Sequence, residues 1–142
     1  MNTRFGDFVR EKRLQRKINL RKLAEIIGIV PAYMSDIENN RRYPPDKEKI
    51  NRIAEALELS EEETNTLFDL AANEKENTVS PDLPEYIMGT DKARVALRMA
   101  RDLNADDEDW MKVIEMLEAK KNGDNSWVTP HKTSKRRITK VI

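Results

Sequence analysis

An all-α fold is predicted by three features of the sequence. Apolar residues recur at i, i+3 and i+4 through most of the chain, the period of one helical face. Charged residues make up 37% against 38% hydrophobic, a balance that suits helices with solvated outer faces. Glycine occurs only 4 times. At 142 residues the chain has room for one domain with a real core, or for a small domain plus an appendage, and is short for two enzymatic domains.

The elements follow in order. Phe5, Phe8 and Val9 share a face with Lys12 and Arg13 over about 4–17, with Asn2 or Thr3 available to cap the start. Asn19 caps a second helix of about eight residues that buries Leu20, Leu23, Ala24 and Ile27 and ends at Gly28. "GIVPAYMSDIENNRRYPP", residues 28–45, reads as turn, short helix and cationic loop: Tyr33, Met34 and Ile37 fall at helical spacing, and Pro44 and Pro45 stop any extension. Asp46 caps "KEKINRIAEALEL", which buries Ile50, Ile53, Ala54 and Leu57, and Ser60 with Glu63 forms a capping box for "EEETNTLFDLAANE". Residues 1–75 are therefore expected to form one five-helix domain. A polar stretch with Pro81 and Pro84 marks 76–89 as a linker.

Over 90–121 two more helices are expected as a hairpin for dimerisation or partner binding. The first, capped by Thr90 or Asp91, carries Ala93, Ala96, Leu97, Ala100 and Leu103; the second carries Trp110, Val113, Ile114 and Leu117. Acids at its start and lysines at its end match the helix dipole, which also accounts for "DDED" at 106–109, since that run lacks the glycine and terminal glutamate of a calcium loop. Residues 122–142 lose periodicity and read as a flexible basic tail containing Trp127 and His131.

Charge is uneven along the chain although its sum is zero. Thirteen cations against nine anions give +4 over 1–59; eight against seventeen give −9 over 60–127; five cations alone give +5 over 128–142. Different parts are thus suited to different partners. Without cysteine and with one histidine, no disulfide framework and no thiolate or histidine metal site is expected, and no cofactor motif is visible. No nucleophile–base pair or glycine-rich phosphate loop points to an enzyme. "MNTRFGDFVREKR" has no signal-like apolar run and nowhere do eighteen apolar residues occur together, so a cytoplasmic address and no membrane association are expected.

Ala24, Gly28, Met34 and Ile37 sit at offsets of 0, 4, 10 and 13. Two short helices crossing steeply need a small residue where backbones approach, a turn residue tolerant of positive φ, and apolar anchors beneath the second helix. That is helix-turn-helix geometry, in which the second helix enters the DNA major groove and the first crosses the backbone. With Arg13, "LAE" at 23–25, Gly28 and "SDIEN" at 35–39 in register, the chain resembles the Cro and phage-repressor family, also called the xenobiotic response element family, over about 4–70. Leu20 and Val30 depart from it, standing where glutamine and serine or threonine are frequent.

The resemblance implies that Arg13 pairs with Glu38 beneath the recognition helix. It places Pro31, Ala32, Ser35 and Asp36 as base-reading candidates, and Tyr33, Asn39, Arg41 and Arg42 as phosphate contacts. Tyr33 reads equally well as a half-buried core aromatic. Arg10, Lys12, Arg16, Lys17, Arg21 and Lys22 read as solvated helix faces. The function implied is sequence-specific binding of double-stranded DNA by a dimeric autorepressor on a palindromic operator. A repressor-type domain with an acidic helical extension also resembles HigA-type antitoxins, which gives an alternative: neutralising a basic protein toxin while repressing its operon.

Overall fold

The computed structural model describes residues 3–123, which form eight α-helices: α1 (Phe5–Gln15), α2 (Leu20–Ile27), α3 (Pro31–Glu38), α4 (Lys47–Ala56), α5 (Glu61–Asn73), α6 (Pro84–Met88), α7 (Asp91–Asp102) and α8 (Asp107–Lys121). There is no strand among the described residues. The chain divides into two compact units, one ending at Tyr86 and the other beginning at Ile87.

In the first unit α1 packs on α3 and α5, α2 on α3 and α4, and α4 on α5. One face of each helix supplies the core: Phe5 and Val9, Leu23 and Ile27, Met34 and Ile37, Ile50 and Ile53, Leu67 and Phe68 are all buried. The caps are local and satisfy first-turn amides. Asn19 Oδ1 accepts from Lys22 N at 2.7 Å, Asp46 Oδ1 from Lys49 N at 3.0 Å, and Ser60 and Glu63 exchange bonds of 2.9 and 3.0 Å. At the N-terminus the helix begins one step later than the sequence suggests. Arg4 is its N-cap, and its amide donates to Asp7 Oδ2 at 3.3 Å.

Cations of α1 and its C-cap that the sequence presents as solvated make tertiary bonds instead. Lys12 Nζ lies 2.9 Å from Glu63 Oε2, Arg16 Nε donates to the Leu57 carbonyl at 2.9 Å, and Arg10 reaches Asn39. Arg16 thereby serves one of the carbonyls left open at the end of α4. Arg4 closes the other end of the unit through Glu74, with Nη2 to Oε1 at 2.7 Å. Hydrogen bonding from that guanidinium, with the Arg4 charge and the Phe5 amide adding to it, holds the Glu74 carboxyl below the ordinary glutamate range.

The stretch expected as a linker has structure of its own. Thr78 Oγ1 donates to the Ala72 carbonyl at 2.8 Å, the buried Ser80 hydroxyl bonds the Asp69 carboxylate, and α6 follows. Prolines 81 and 84 fit there because one precedes α6 and the other opens it, where a missing amide costs nothing.

In the second unit, α7 and α8 are joined by a turn at Asn104, and Asp106 and Asp109 form a capping box for α8. Neither helix buries a single residue. Val95, Leu97, Met99, Trp110, Ile114 and Leu117 are all exposed, because α7 and α8 do not pack face to face as the helices of the first unit do, so the expected hairpin does not close on itself. No described helix is long and apolar enough to cross a membrane. The basic tail, with Trp127 and His131, lies outside the described residues apart from Asn122 and Gly123.

Candidate nucleic-acid interface

The interface is built around α3. Its inner face carries Met34 and Ile37, both buried, against Ala24 of α2, which is buried as well. Between the helices Gly28 takes φ 82° and Ile29 N bonds back to Ala24 O at 3.0 Å, closing α2 in a turn that favours glycine. Pro31 opens α3, where its fixed φ is preformed for the first turn.

Three devices anchor the far end of α3. Glu38, 1% exposed, accepts two bonds from Arg13: Nε to Oε2 at 2.7 Å and Nη2 to Oε1 at 2.9 Å. Arg13 Nη1 also donates to the Ile18 carbonyl at 3.0 Å, so the guanidinium ties α1, the next turn and α3 together. Hydrogen bonding to Glu38 raises the Arg13 pKa further, so the guanidinium stays charged. Second, Asn40 adopts φ 59°; its Oδ1 accepts from Gly6 N at 3.0 Å and its Nδ2 donates to Asp7 Oδ1 at 3.1 Å. Third, Gly6 lets α1 touch the α3 carbonyls. A Cβ there would lie 2.3 Å from Ile37 O and 2.6 Å from Glu38 O.

Outward from that anchor stand the residues singled out from the sequence. Ala32 is exposed, and Pro31, Ser35 and Asp36 are partly exposed on the side of α3 away from the core. Tyr33 is half-buried: its ring packs against the core edge and carries the Arg42 guanidinium 4.9 Å above it. Asn39 is exposed but its amide is already engaged by the chain itself: its oxygen accepts from Arg10 Nη2 at 2.7 Å and its nitrogen donates to Ser35 O at 2.9 Å. Arg41 Nη1 lies 3.3 Å from Asp36 Oδ1, and Arg42 Nε lies 4.0 Å from Asp36 Oδ2. The structure thus brings Tyr33, Asp36, Arg41 and Arg42 into one exposed cluster, while Arg13 and Glu38 lie beneath it.

Residues 6–73 match a family model described as a helix-turn-helix domain. This unit is a helix-turn-helix domain of the xenobiotic response element type. Over 55 residues the chain is also 38% identical to the HTH-type transcriptional repressor RghR of Bacillus subtilis (strain 168), a match that covers 39% of this chain and 41% of that protein. Within the helix-turn-helix domain, sequence reasoning overlooked Gly6 and Asn40 and read Arg10 as a solvated cation, whereas it bonds Asn39. Asn40 had a readable signal, because asparagine just past a helix is the commonest non-glycine choice for positive φ. Gly6 had none, since its neighbours come from 31 to 34 positions away. Among the described residues no group of three or more His, Asp or Glu is arranged to hold a metal.

Proposed function

We propose that this chain is a DNA-binding transcriptional regulator that places α3 in the major groove. The observation carrying this reading is the two-sided character of α3, with apolar anchors and the Arg13–Glu38 pair below and Pro31, Ala32, Ser35 and Asp36 above. A helix so fixed presents its outer side chains to base edges at constant orientation. Pro31 and Ala32 offer apolar contact to a thymine methyl, and Asp36 accepts from the cytosine amino group. Arg41 and Arg42 are the phosphate contacts, with Tyr33 as their support. Asn39, whose amide is already bonded on both sides, contributes by holding the helix end.

One such domain makes few phosphate contacts, so the working species is a dimer on a palindrome with half-sites about one helical turn apart. The α7–α8 pair supports this assembly, because helices that bury nothing by themselves gain most by covering their apolar faces. The same faces support the second reading, an antitoxin whose α7 and α8 are covered by a protein toxin. Footprinting on DNA upstream of the chain's own reading frame tests the regulator. Two symmetric protected half-sites are the expected result, and no protection at any upstream sequence defeats it. Co-purification of a small basic protein encoded next to it separates the antitoxin from a plain repressor.

A further inference from the structure

The Tyr33–Asp36–Arg41–Arg42 cluster has an internal anion in the place where the proposed function needs an external one. Asp36 is the one carboxylate of α3 that reaches the surface, where it is partly exposed, since Glu38 is buried with Arg13. Its two oxygens face the two arginines assigned to DNA phosphate, at 3.3 and 4.0 Å. The backbone makes this meeting unavoidable. Asn40, in the left-handed region, closes α3 with Asn40 N bonded to Ile37 O at 3.0 Å and Arg41 N to Asp36 O at 2.8 Å, so residue 41 is folded back onto residue 36. The Tyr33 ring holds the Arg42 guanidinium on the same side.

We infer that Asp36 is a specificity gate: in the free protein it occupies Arg41 and Arg42 as a stand-in for DNA phosphate, and it releases them fully only where a base offers it a donor. On arbitrary DNA the arginines reach phosphate only by leaving a carboxylate without a partner at the mouth of the groove. Where a cytosine or adenine amino group faces Asp36, the carboxylate exchanges its arginines for that group and both guanidinium groups turn to the backbone. The carboxylate therefore weakens binding to wrong sequences more than to the right one. The pairs are exposed, which limits the effect to about two- to five-fold. This inference rests on the DNA-binding reading above.

The test is a thermodynamic cycle on the full chain. Wild type, Asp36→Asn, Arg41→Ala/Arg42→Ala and the triple variant are titrated with a scrambled duplex and with the tightest duplex recovered from a randomised pool. Asp36→Asn is expected to tighten scrambled-duplex binding about two- to five-fold, steepen its salt slope by about one, and lower the ratio of selected to scrambled affinity. In the double-alanine background most of that gain should vanish. An equal gain in both backgrounds would mean that Asp36 acts on DNA by its own charge, and no gain in either would mean that it does not compete; each overturns the gate. Elution from heparin, an anionic polymer without bases, keeps the two ideas apart. Later elution of Asp36→Asn that needs the arginines upholds the stand-in role even if no duplex is bound, whereas unchanged elution removes it.

Discussion

At the scale of single residues, the Arg13–Glu38 pair decides more than its surroundings suggest. Glu38 is shut from water, and its two oxygens are filled by one guanidinium in a fork geometry that lysine cannot copy. Such a pair contributes little net stability against apolar replacements, yet removing one member leaves a charge stranded. Arg13→Met is therefore expected to lower unfolding free energy by about 3 kcal/mol or more, and Arg13→Met/Glu38→Met to recover most of the loss. Urea unfolding of the two singles and the double measures the coupling. Additive effects of the two substitutions would show that the residues do not depend on each other. The pair was legible because both residues sit in family register, while Arg10, 3.7 Å from the same carboxylate, looked like one more solvated cation.

Whole elements share a less visible device. Among the described residues five helices end in the same way, with a residue of positive φ and two backbone bonds spanning three and five positions: α1 at Lys17, α2 at Gly28, α3 at Asn40, α4 at Glu58 and α7 at Asn104. Only one of these is glycine. Lysine and glutamate there carry a steric cost of about 1 kcal/mol against the left-handed region, accepted because the turn satisfies two carbonyls at once. Lys17→Gly is accordingly expected to stabilise the first unit by up to about 1 kcal/mol, read as a higher urea midpoint with unchanged slope. A lower midpoint would show that chain entropy in the unfolded state outweighs the relieved strain. From sequence, the Gly28 terminator could be read and asparagine offers a signal at 40 and 104, whereas Lys17 and Glu58 could not be read, because nothing local distinguishes them from ordinary polar residues.

For the whole molecule, two outcomes follow. Glu74, joined to Arg4 across the ends of the first unit, titrates lower in the folded protein than its ordinary value near 4.5. Its contribution is complete above that value and is lost as pH falls through the depressed folded value. Wild type should therefore exceed Glu74→Gln in stability at neutral pH, and the gap should close on acidification below the ordinary range; a gap constant with pH would mean that ionisation of Glu74 plays no part. The second outcome concerns the division at Tyr86. Because Thr78 and Ser80 are tied back to α5, truncation after Tyr86 should leave the first unit folded, while a cut after Asn77 removes these ties. If α7 and α8 join two copies, the fragment ending at Tyr86 sediments as a monomer, binds a half-site nearly normally and loses its advantage on a palindrome. A fragment that remains dimeric moves the interface into the helix-turn-helix domain.

By itself the sequence determined what depends on neighbours within a turn or two. Helical periodicity, the caps at Asn19, Asp46 and Ser60, the glycine turn at 28 and the break at the double proline are all short-range effects, and each stands where local chemistry places it. The spacing from Ala24 to Ile37 carried the helix-turn-helix geometry for the same reason. Tertiary structure alone decided what depends on segments distant in sequence. It brought Asn40 to Gly6, Arg16 to the end of α4 and Arg4 to Glu74. A charged side chain has the same local preference whether it ends in water or on a carbonyl thirty residues away; only the packed fold supplies the partner.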